Sequence, residues 1–202
     1  AVRYGNVVGS SGSVIPKFIK MIRENKKITI TDSEMTRFSI TMEQALDFII
    51  DCTINGKSSE IYVPKLKAYS ILDVKDALFD LIKKTDFDVV GIRPGEKLHE
   101  TLINSEEIRN SWDLENKFMI SNPSKNDEEI VRSYEQNIKK IENIDEYSSK
   151  IAERHTKDEL IVLIDAIEKF FKNDQIKGLT PPMYHSLFGI ELNQFGPFDI
   201  NA

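Results

Sequence analysis

One cysteine, one tryptophan and three histidines stand among 202 residues, and no apolar run approaches the ~20 residues that span a bilayer. A lone thiol makes neither an internal disulfide nor a cysteine metal cluster. Cys52 sits at helical spacing with Phe48, Ile49 and Ile50, so it reads as a core thiol rather than a nucleophile. His99, His155 and His185 are far apart and none has a second His or Cys at i, i+4, which argues against zinc. There is no excess of positive charge either: 27 Lys and Arg are interspersed with 33 Asp and Glu, a net of -6. Neither a nucleic-acid face nor a polybasic membrane segment is therefore offered. No charged start leads into a short apolar segment, and the cytoplasm is the expected location. What is present, 40% hydrophobic and 30% charged residues, suits one domain with a core, or one domain plus an appendage. Residue 1 is Ala and the chain opens at once on an apolar strand-like run, the look of a sequence cut inside a domain.

Along the chain, Ala1 to Val8 is β-prone and leads into a loop of Gly9, Ser10, Ser11, Gly12 and Ser13. Val14, Phe18, Ile19 and Ile22 then recur at helical spacing. KITIT (Lys27 to Thr31) alternates like a short strand. Thr41 with Gln44 makes a capping box opening a helix to about Thr53, ended by Asn55-Gly56. Glu60 to Pro64 reads as a strand, and Ser70 caps a helix with the stripe Ile71, Leu72, Val74, Leu78, Leu81 and Ile82. Phe87 to Ile92 is a buried-type strand ending at Arg93-Pro94-Gly95-Glu96. This alternation predicts an α/β region. Amphipathic helices are expected near Asp127 to Ile141 and from Thr156, capped with Glu159 and carrying Leu160, Leu163, Ile164, Ile167 and Phe171. Residues 1–121 are expected to hold the sheet and a substrate-binding subdomain, 122–178 a helical appendage, and 179–202 an irregular tail.

The strand, glycine loop and helix suggest a dinucleotide phosphate site, but Gly5, Gly9 and Gly12 follow G-x-x-x-G-x-x-G rather than G-x-G-x-x-G. A side chain at Val7 or Ser11, where backbone must touch phosphate, argues against that reading. Arg93 follows a strand and precedes a Pro-Gly turn, where ligands of open α/β sheets gather. Arg37 and Arg93 converging would suit a pyrophosphate, since each guanidinium donates parallel charge-assisted bonds; alternatively each is a surface arginine paired with a carboxylate. Glu96 either accepts from ribose hydroxyls or begins the next helix. His99 with Glu96 and Glu100 reads as acid/base groups or, more commonly, as a helix-surface cluster.

Four ordered blocks carry a resemblance: RYGNVVGSSGSVIPKF (Arg3 to Phe18), ITDSEMTRFSITMEQALDFI (Ile30 to Ile49), IYVPKLKAYSILDV (Ile61 to Val74) and GIRPGEKLHETLI (Gly91 to Ile103). They resemble the extended short-chain dehydrogenase/reductase family, in the branch of C5-inverting UDP-N-acetylglucosamine 4,6-dehydratases of polysaccharide and flagellin-sugar biosynthesis. A weaker echo lies at Asp145 to Leu160. The resemblance implies the C-terminal portion of a Rossmann-like fold with an added helical region. It implies that Asn6, Val14, Thr31, Arg37, Arg93 and Glu96 bind a UDP-sugar, with Val14 lining the pocket, Thr31 near uracil, the arginines on pyrophosphate and Glu96 on ribose. It places Val7, Val8, Gly9, Ser10 and Ser11 beside the nicotinamide end of NADP, most of which an absent N-terminal half would hold, and Tyr147 to Ser149 over the substrate. Two departures stand out: Ser11 replaces a usual Arg, and Ser39 a usual aromatic.

Such enzymes oxidise C4 of the sugar, eliminate water across C5 and C6, and return the hydride to C6, with NADP carrying the redox step. The Tyr-x-x-x-Lys pair, the Asp/Lys pair and the glycine fingerprint are absent from this sequence. No catalytic residue is therefore assigned, and these residues alone are expected to be inactive. An intact protein is expected to be a homo-oligomer. A related UDP-sugar 4-epimerase, or a non-catalytic nucleotide-sugar-binding remnant, are the alternatives.

Overall fold

The computed structural model describes residues 1–10, 12–134 and 137–172. Residues 1–165 form one compact unit; residues 166–172 continue the last helix outside it. The elements run α1 (Val14–Arg23), β1 (Ile28–Ile30), β2 (Thr36–Phe38), α2 (Met42–Asn55), β3 (Ile61–Pro64), β4 (Ala68–Ser70), α3 (Ile71–Leu81) and β5 (Phe87–Val89). They continue with β6 (Thr101–Ile103), a single 3₁₀ turn, β7 (Ser111–Asp113), β8 (Lys117–Ile120), α4 (Asp127–Ser133), β9 (Lys139–Lys140), β10 (Tyr147–Ser148) and α5 (Lys157–Lys172).

The helices form where caps and apolar spacing agree. In α1, Ile15, Phe18, Ile19 and Ile22 are all buried, and the helix stops in a Schellman motif: Asn25 takes φ 54, Asn25 N–H reaches Ile22 O and Lys26 N–H reaches Met21 O. The expected box at α2 is present, with Gln44 N–H on Thr41 Oγ1 (3.2 Å) and Thr41 N–H on Gln44 Oε1 (2.9 Å). Its C-terminus needs Gly56, because a Cβ there would come 2.2 Å from the Cys52 carbonyl oxygen. Ser70 Oγ caps α3 by accepting from Asp73 N–H, and Thr156 with Glu159 caps α5.

β1 and β5 pair in parallel, β2 pairs β4 antiparallel, β6 pairs β10 antiparallel, and β3-β8-β7-β9 make a four-stranded antiparallel sheet. The period-two side-chain rule divides this last sheet's apolar residues between two clusters. Val63, Phe118 and Ile120 pack with Phe38, Ile103 and Tyr147 on one face, and Tyr62, Met119 and Trp112 pack with Ile130 and Ile138 on the other.

Several local expectations change. Ala1 to Val8 forms no strand; it is tied by isolated parallel bridges, Val2 to Tyr62 of β3 and Val7 to Ile40, with Arg3 N–H on Tyr62 O and Tyr62 N–H on Ala1 O. Phe87 to Ile92 is not buried: among the described residues the strand Phe87–Val89 pairs with β1 alone, Val90 N–H adding a bond to Ile30 O, and Phe87, Val89, Val90 and Ile92 are exposed. The helix expected to reach Ile141 ends at Ser133, and Lys139–Lys140 instead joins the four-stranded sheet beside β7. Residues 122–165 thus contribute two short strands as well as helices. No helix begins at Glu96; the segment from Arg93 runs through turns into β6. The tail from Leu179, and the side chain of Phe171, lie outside the described residues. Among those described, no helix is long and apolar enough to cross a membrane and no side-chain group is suited to a metal ion.

Candidate functional site

Asn6 lies on the N-terminal segment, which is held at both ends. Arg3 grips Glu107 through two bonds of 2.7 and 2.8 Å and also donates to Leu102 O, while Val8 N–H donates to Ile40 O at 2.9 Å. Gly5, just before Asn6, has no room for a side chain: a Cβ would stand 2.7 Å from Phe38 Cβ. The chain then turns through Gly9 and Gly12, both at φ 78, into α1.

A cleft of about 230 Å³ opens where this segment, the start of α1, β1, β2 and the Arg93–Glu96 turn meet. Asn6, Val14, Thr31, Arg37, Arg93 and Glu96, the six residues expected to meet a nucleotide sugar, all line it, as do Val7, Val8 and Gly9. Ser10 is exposed and not part of the lining, and Ser11 lies outside the described residues. Lys17 and Tyr69 also line the cleft, unforeseen from sequence. The signal for Lys17 was its place one turn into α1, on the side that follows the loop.

The charged residues divide into engaged and free. Arg37 donates from one terminal nitrogen to Thr36 O (2.7 Å) and Leu98 O (3.1 Å), and its guanidinium stands 3.9 Å from Glu96 Oε1 and 3.8 Å from Glu100 Oε1. Arg93 and Lys17 make no side-chain hydrogen bond or ion pair among the described residues. Glu96 Oε1 accepts a long bond from Thr31 Oγ1 at 3.5 Å, while its Oε2 is buried with no partner. The cleft therefore carries three cations against one carboxylate, a net of two positive charges, with an unfilled buried acceptor among them.

Behind the cleft stands Glu100, which sequence spacing had grouped with Glu96 and His99 on a helix surface. In the turn it instead faces inward: Oε1 accepts from Asn6 Nδ2 at 2.7 Å and Oε2 from Phe38 N–H at 2.9 Å. Burial pushes its carboxyl above the ordinary range, against the lowering effects of the Phe38 N–H and Arg37. Ser149 Oγ, fully buried, accepts from Glu100 N–H (2.9 Å), donates to Thr36 O (3.1 Å) and meets Thr36 Oγ1 at 2.7 Å, which also meets His99 Nδ1 at 2.8 Å. Burial and nearby cations lower the His99 pKa. Tyr69 is no base: burial, then the charge of Glu100, push its phenol well up, so it stays protonated.

The loop offers little to a dinucleotide's phosphates. Val8, Ser10 and Ser13 N–H groups are already taken by Ile40 O, Val7 O and Ser10 O. Among the described residues, these three loop N–H groups are therefore not open to the phosphates of NADP, which leaves this loop at most a border to another part of that cofactor.

The fold is that of an α/β protein, and its cleft combines a net positive lining with an unfilled carboxylate oxygen. The family model described as "Polysaccharide biosynthesis protein" matches residues 1–122, and the chain belongs to that family. The "UDP-N-acetylglucosamine 4,6-dehydratase (inverting)" of Campylobacter jejuni is 42% identical over 120 residues, 59% of this chain and 35% of that protein. The "UDP-glucose 4-epimerase" of Rickettsia rickettsii is 33% identical over 175 residues, 85% of this chain and 51% of that protein. Among solved structures, the "X-ray structure of Pen from Bacillus thuringiensis" matches with a TM-score of 0.70 at 34% identity, covering 83% of this chain and 49% of that one. The chain thus spans about half, or less, of the length of the relatives it matches. The expected α/β class and the expected resemblance are borne out.

Proposed function

We propose that this chain is the nucleotide-sugar-binding part of an NADP-dependent UDP-N-acetylglucosamine 4,6-dehydratase acting in surface-polysaccharide or flagellin-glycan biosynthesis. The observation that carries the reading is the pairing, in one cleft, of unengaged Arg93 with the unfilled buried oxygen of Glu96. A diphosphate diester is doubly negative and matches the net charge of the lining; its ribose hydroxyls are donors that suit Glu96 Oε2. In this reading Arg93 grips the diphosphate and Arg37 backs it. Thr31 sits by the base, Val14 packs on the ligand and Asn6 orients the sugar. NADP supplies the hydride chemistry when bound. Val7, Val8 and Gly9 border one end of it, while Ser10 and Ser11 are proposed neighbours of the same group. The catalytic acid, base and phosphate loop are not among these residues, so the chain alone binds and orients and does not turn over substrate.

Calorimetry with UDP tests this. Binding by the protein, weakened roughly tenfold or more in Arg93→Ala, is expected from the loss of one charge-assisted contact; equal affinity of the two rejects the reading. A 4-epimerase is the second reading, favoured by the greater share of this chain, 85% against 59%, over which those relatives match. Mass spectrometry of UDP-sugars incubated with the intact protein separates them, because a dehydratase product is lighter by one water and an epimerase product is not.

A further inference from the structure

We propose that Glu100 is a positioning residue of this cleft, a carboxylate that fixes which face of the Asn6 amide is offered to the ligand and holds the guanidinium of Arg37 in place behind it. The proposal rests on the nucleotide-sugar reading above and adds to it a residue that does not itself line the cleft.

An ionised carboxylate only accepts hydrogen bonds, whereas a side-chain amide has one accepting and one donating end. At 2.7 Å from Glu100 Oε1, Asn6 must therefore present Nδ2, and its Oδ1 is left to accept from a ligand hydroxyl or N–H. The other carboxylate oxygen is fixed by the Phe38 backbone N–H, so Glu100 cannot swing away while β2 is intact. The backbone of Glu100 is pinned in turn by Ser149, through Glu100 N–H to Ser149 Oγ (2.9 Å) and Ser149 N–H to Glu100 O (2.7 Å). One residue thereby connects the N-terminal segment, β2 and the segment carrying β10. Arg37 completes the arrangement: one terminal nitrogen is occupied by Thr36 O and Leu98 O, and Nε lies 3.8 Å from Glu100 Oε1. The other terminal nitrogen donates to Met35 Sδ at 3.0 Å and stands 3.9 Å from Glu96 Oε1, so Arg37 meets a ligand as a fixed positive charge in the lining.

The groups facing Glu100 are Arg37 and the Phe38 N–H on β2, Asn6 on the N-terminal segment and Tyr69 on β4; Glu96 lies beyond Arg37 and His99 is its chain neighbour. Its carboxyl is raised mainly by burial. As pH falls through that raised value Glu100 takes up a proton, no longer dictates the Asn6 orientation, and loses its attraction for Arg37.

The test uses Glu100→Gln, close in shape, and Glu100→Asp, which keeps the charge but withdraws it by one methylene, with circular dichroism to show that both fold. Calorimetry with UDP-N-acetylglucosamine is expected to show about tenfold weaker binding for each variant, the size expected for one lost partner in a partly buried network. In ligand-free protein the Asn6 side-chain amide signal in nitrogen-edited NMR is expected to titrate with Glu100 and to lose that titration in Glu100→Gln. Unchanged affinity in Glu100→Gln, full rescue by Asp, or an Asn6 signal indifferent to pH overturns the proposal. If the protein carrying Glu100 binds neither UDP nor UDP-N-acetylglucosamine, the nucleotide-sugar reading fails, and the Asn6 titration still decides whether Glu100 governs that amide.

Discussion

Two glutamates on either side of β6 have opposite acid behaviour, and the difference follows from what each touches. Glu107 is held below the ordinary carboxylate range chiefly by its hydrogen bonds from Arg3. A depressed value means its contribution to stability is present above the ordinary range and lost as pH falls through and below it. Glu100 is raised by burial, so its contribution is present only below the ordinary range and lost as pH rises through the raised value. Glu107→Gln is therefore expected to lower the thermal midpoint at neutral pH and to flatten its decline with acid. Glu100→Gln is expected to leave the neutral midpoint unchanged or higher while weakening ligand binding, a separation expected of a strained functional group. Scanning calorimetry from neutral to acid pH checks both, and a neutral-pH loss in Glu100→Gln larger than that in Glu107→Gln contradicts the assignment. Arg93 and Glu96 were legible in the sequence because strand and turn signals placed them just past a strand, whereas Arg37, in the middle of β2, was assigned through the family resemblance. Glu100 was not, because its role depends on the Pro94-Gly95 turn failing to start a helix, and the spacing Glu96, His99, Glu100 suits a helix just as well.

A second residue-scale device sits under α4. Glu60, buried, accepts from the phenols of Tyr62 and Tyr134 at 2.5 Å each, and the Lys57 ammonium lies 3.6 Å from the Tyr134 ring centroid. Burial and then Glu60 push the Tyr62 phenol up to about 12, so it remains a donor across the physiological range. Tyr134→Phe deletes one donor and leaves Tyr62 in place, and should cost about 1 kcal/mol by denaturant unfolding. Glu60→Ala leaves two phenols without their acceptor and should cost more, about 2 kcal/mol or above.

At the scale of elements, legibility followed local chemistry. The helices α1, α2, α3 and α5 were announced by caps and apolar stripes that the chain carries within a few residues. The short strands β2, β6, β7 and β8 were not, since three or four residues hold too little alternation to separate them from loop. The β7–β8 hairpin shows why most clearly: its turn runs Leu114, Glu115, Asn116, with the left-handed residue at Glu115, φ 71, where a glycine or asparagine would have signalled it. Glu115→Gly removes the steric cost of that conformation while adding unfolded-state entropy, and the balance is expected to favour the fold by up to about 1 kcal/mol. Denaturant unfolding followed by Trp112 fluorescence measures it on the strand concerned, and a destabilisation shows that Glu115 makes a contact that outweighs its backbone strain.

At the scale of the molecule, the residues with least support are apolar ones. Helix α2 buries only Ala45, while Met42, Leu46, Ile50 and Ile54 form an exposed row at i+4 spacing, Ile54 at 74%. Strand β5 adds exposed Phe87 and Val89, with Val90 and Ile92 just beyond it. Parallel strands are ordinarily covered on both faces, and contiguous apolar surface of this kind drives association. The sequence pattern had foretold the apolar runs but assigned them to a core, because periodicity reports what a face could bury and not whether anything covers it. The chain of 202 residues is therefore expected to associate as its concentration rises and to bind a hydrophobic dye in the folded state. Ile50→Lys with Ile54→Lys breaks the row at two exposed positions, where substitutions usually change stability by no more than about 0.5 kcal/mol each. Sedimentation velocity should then shift toward monomer and dye binding should fall, with the thermal midpoint nearly constant. A midpoint that drops by many degrees would instead mean that α2 is docked through these residues, and unchanged association would place the sticky surface on β5.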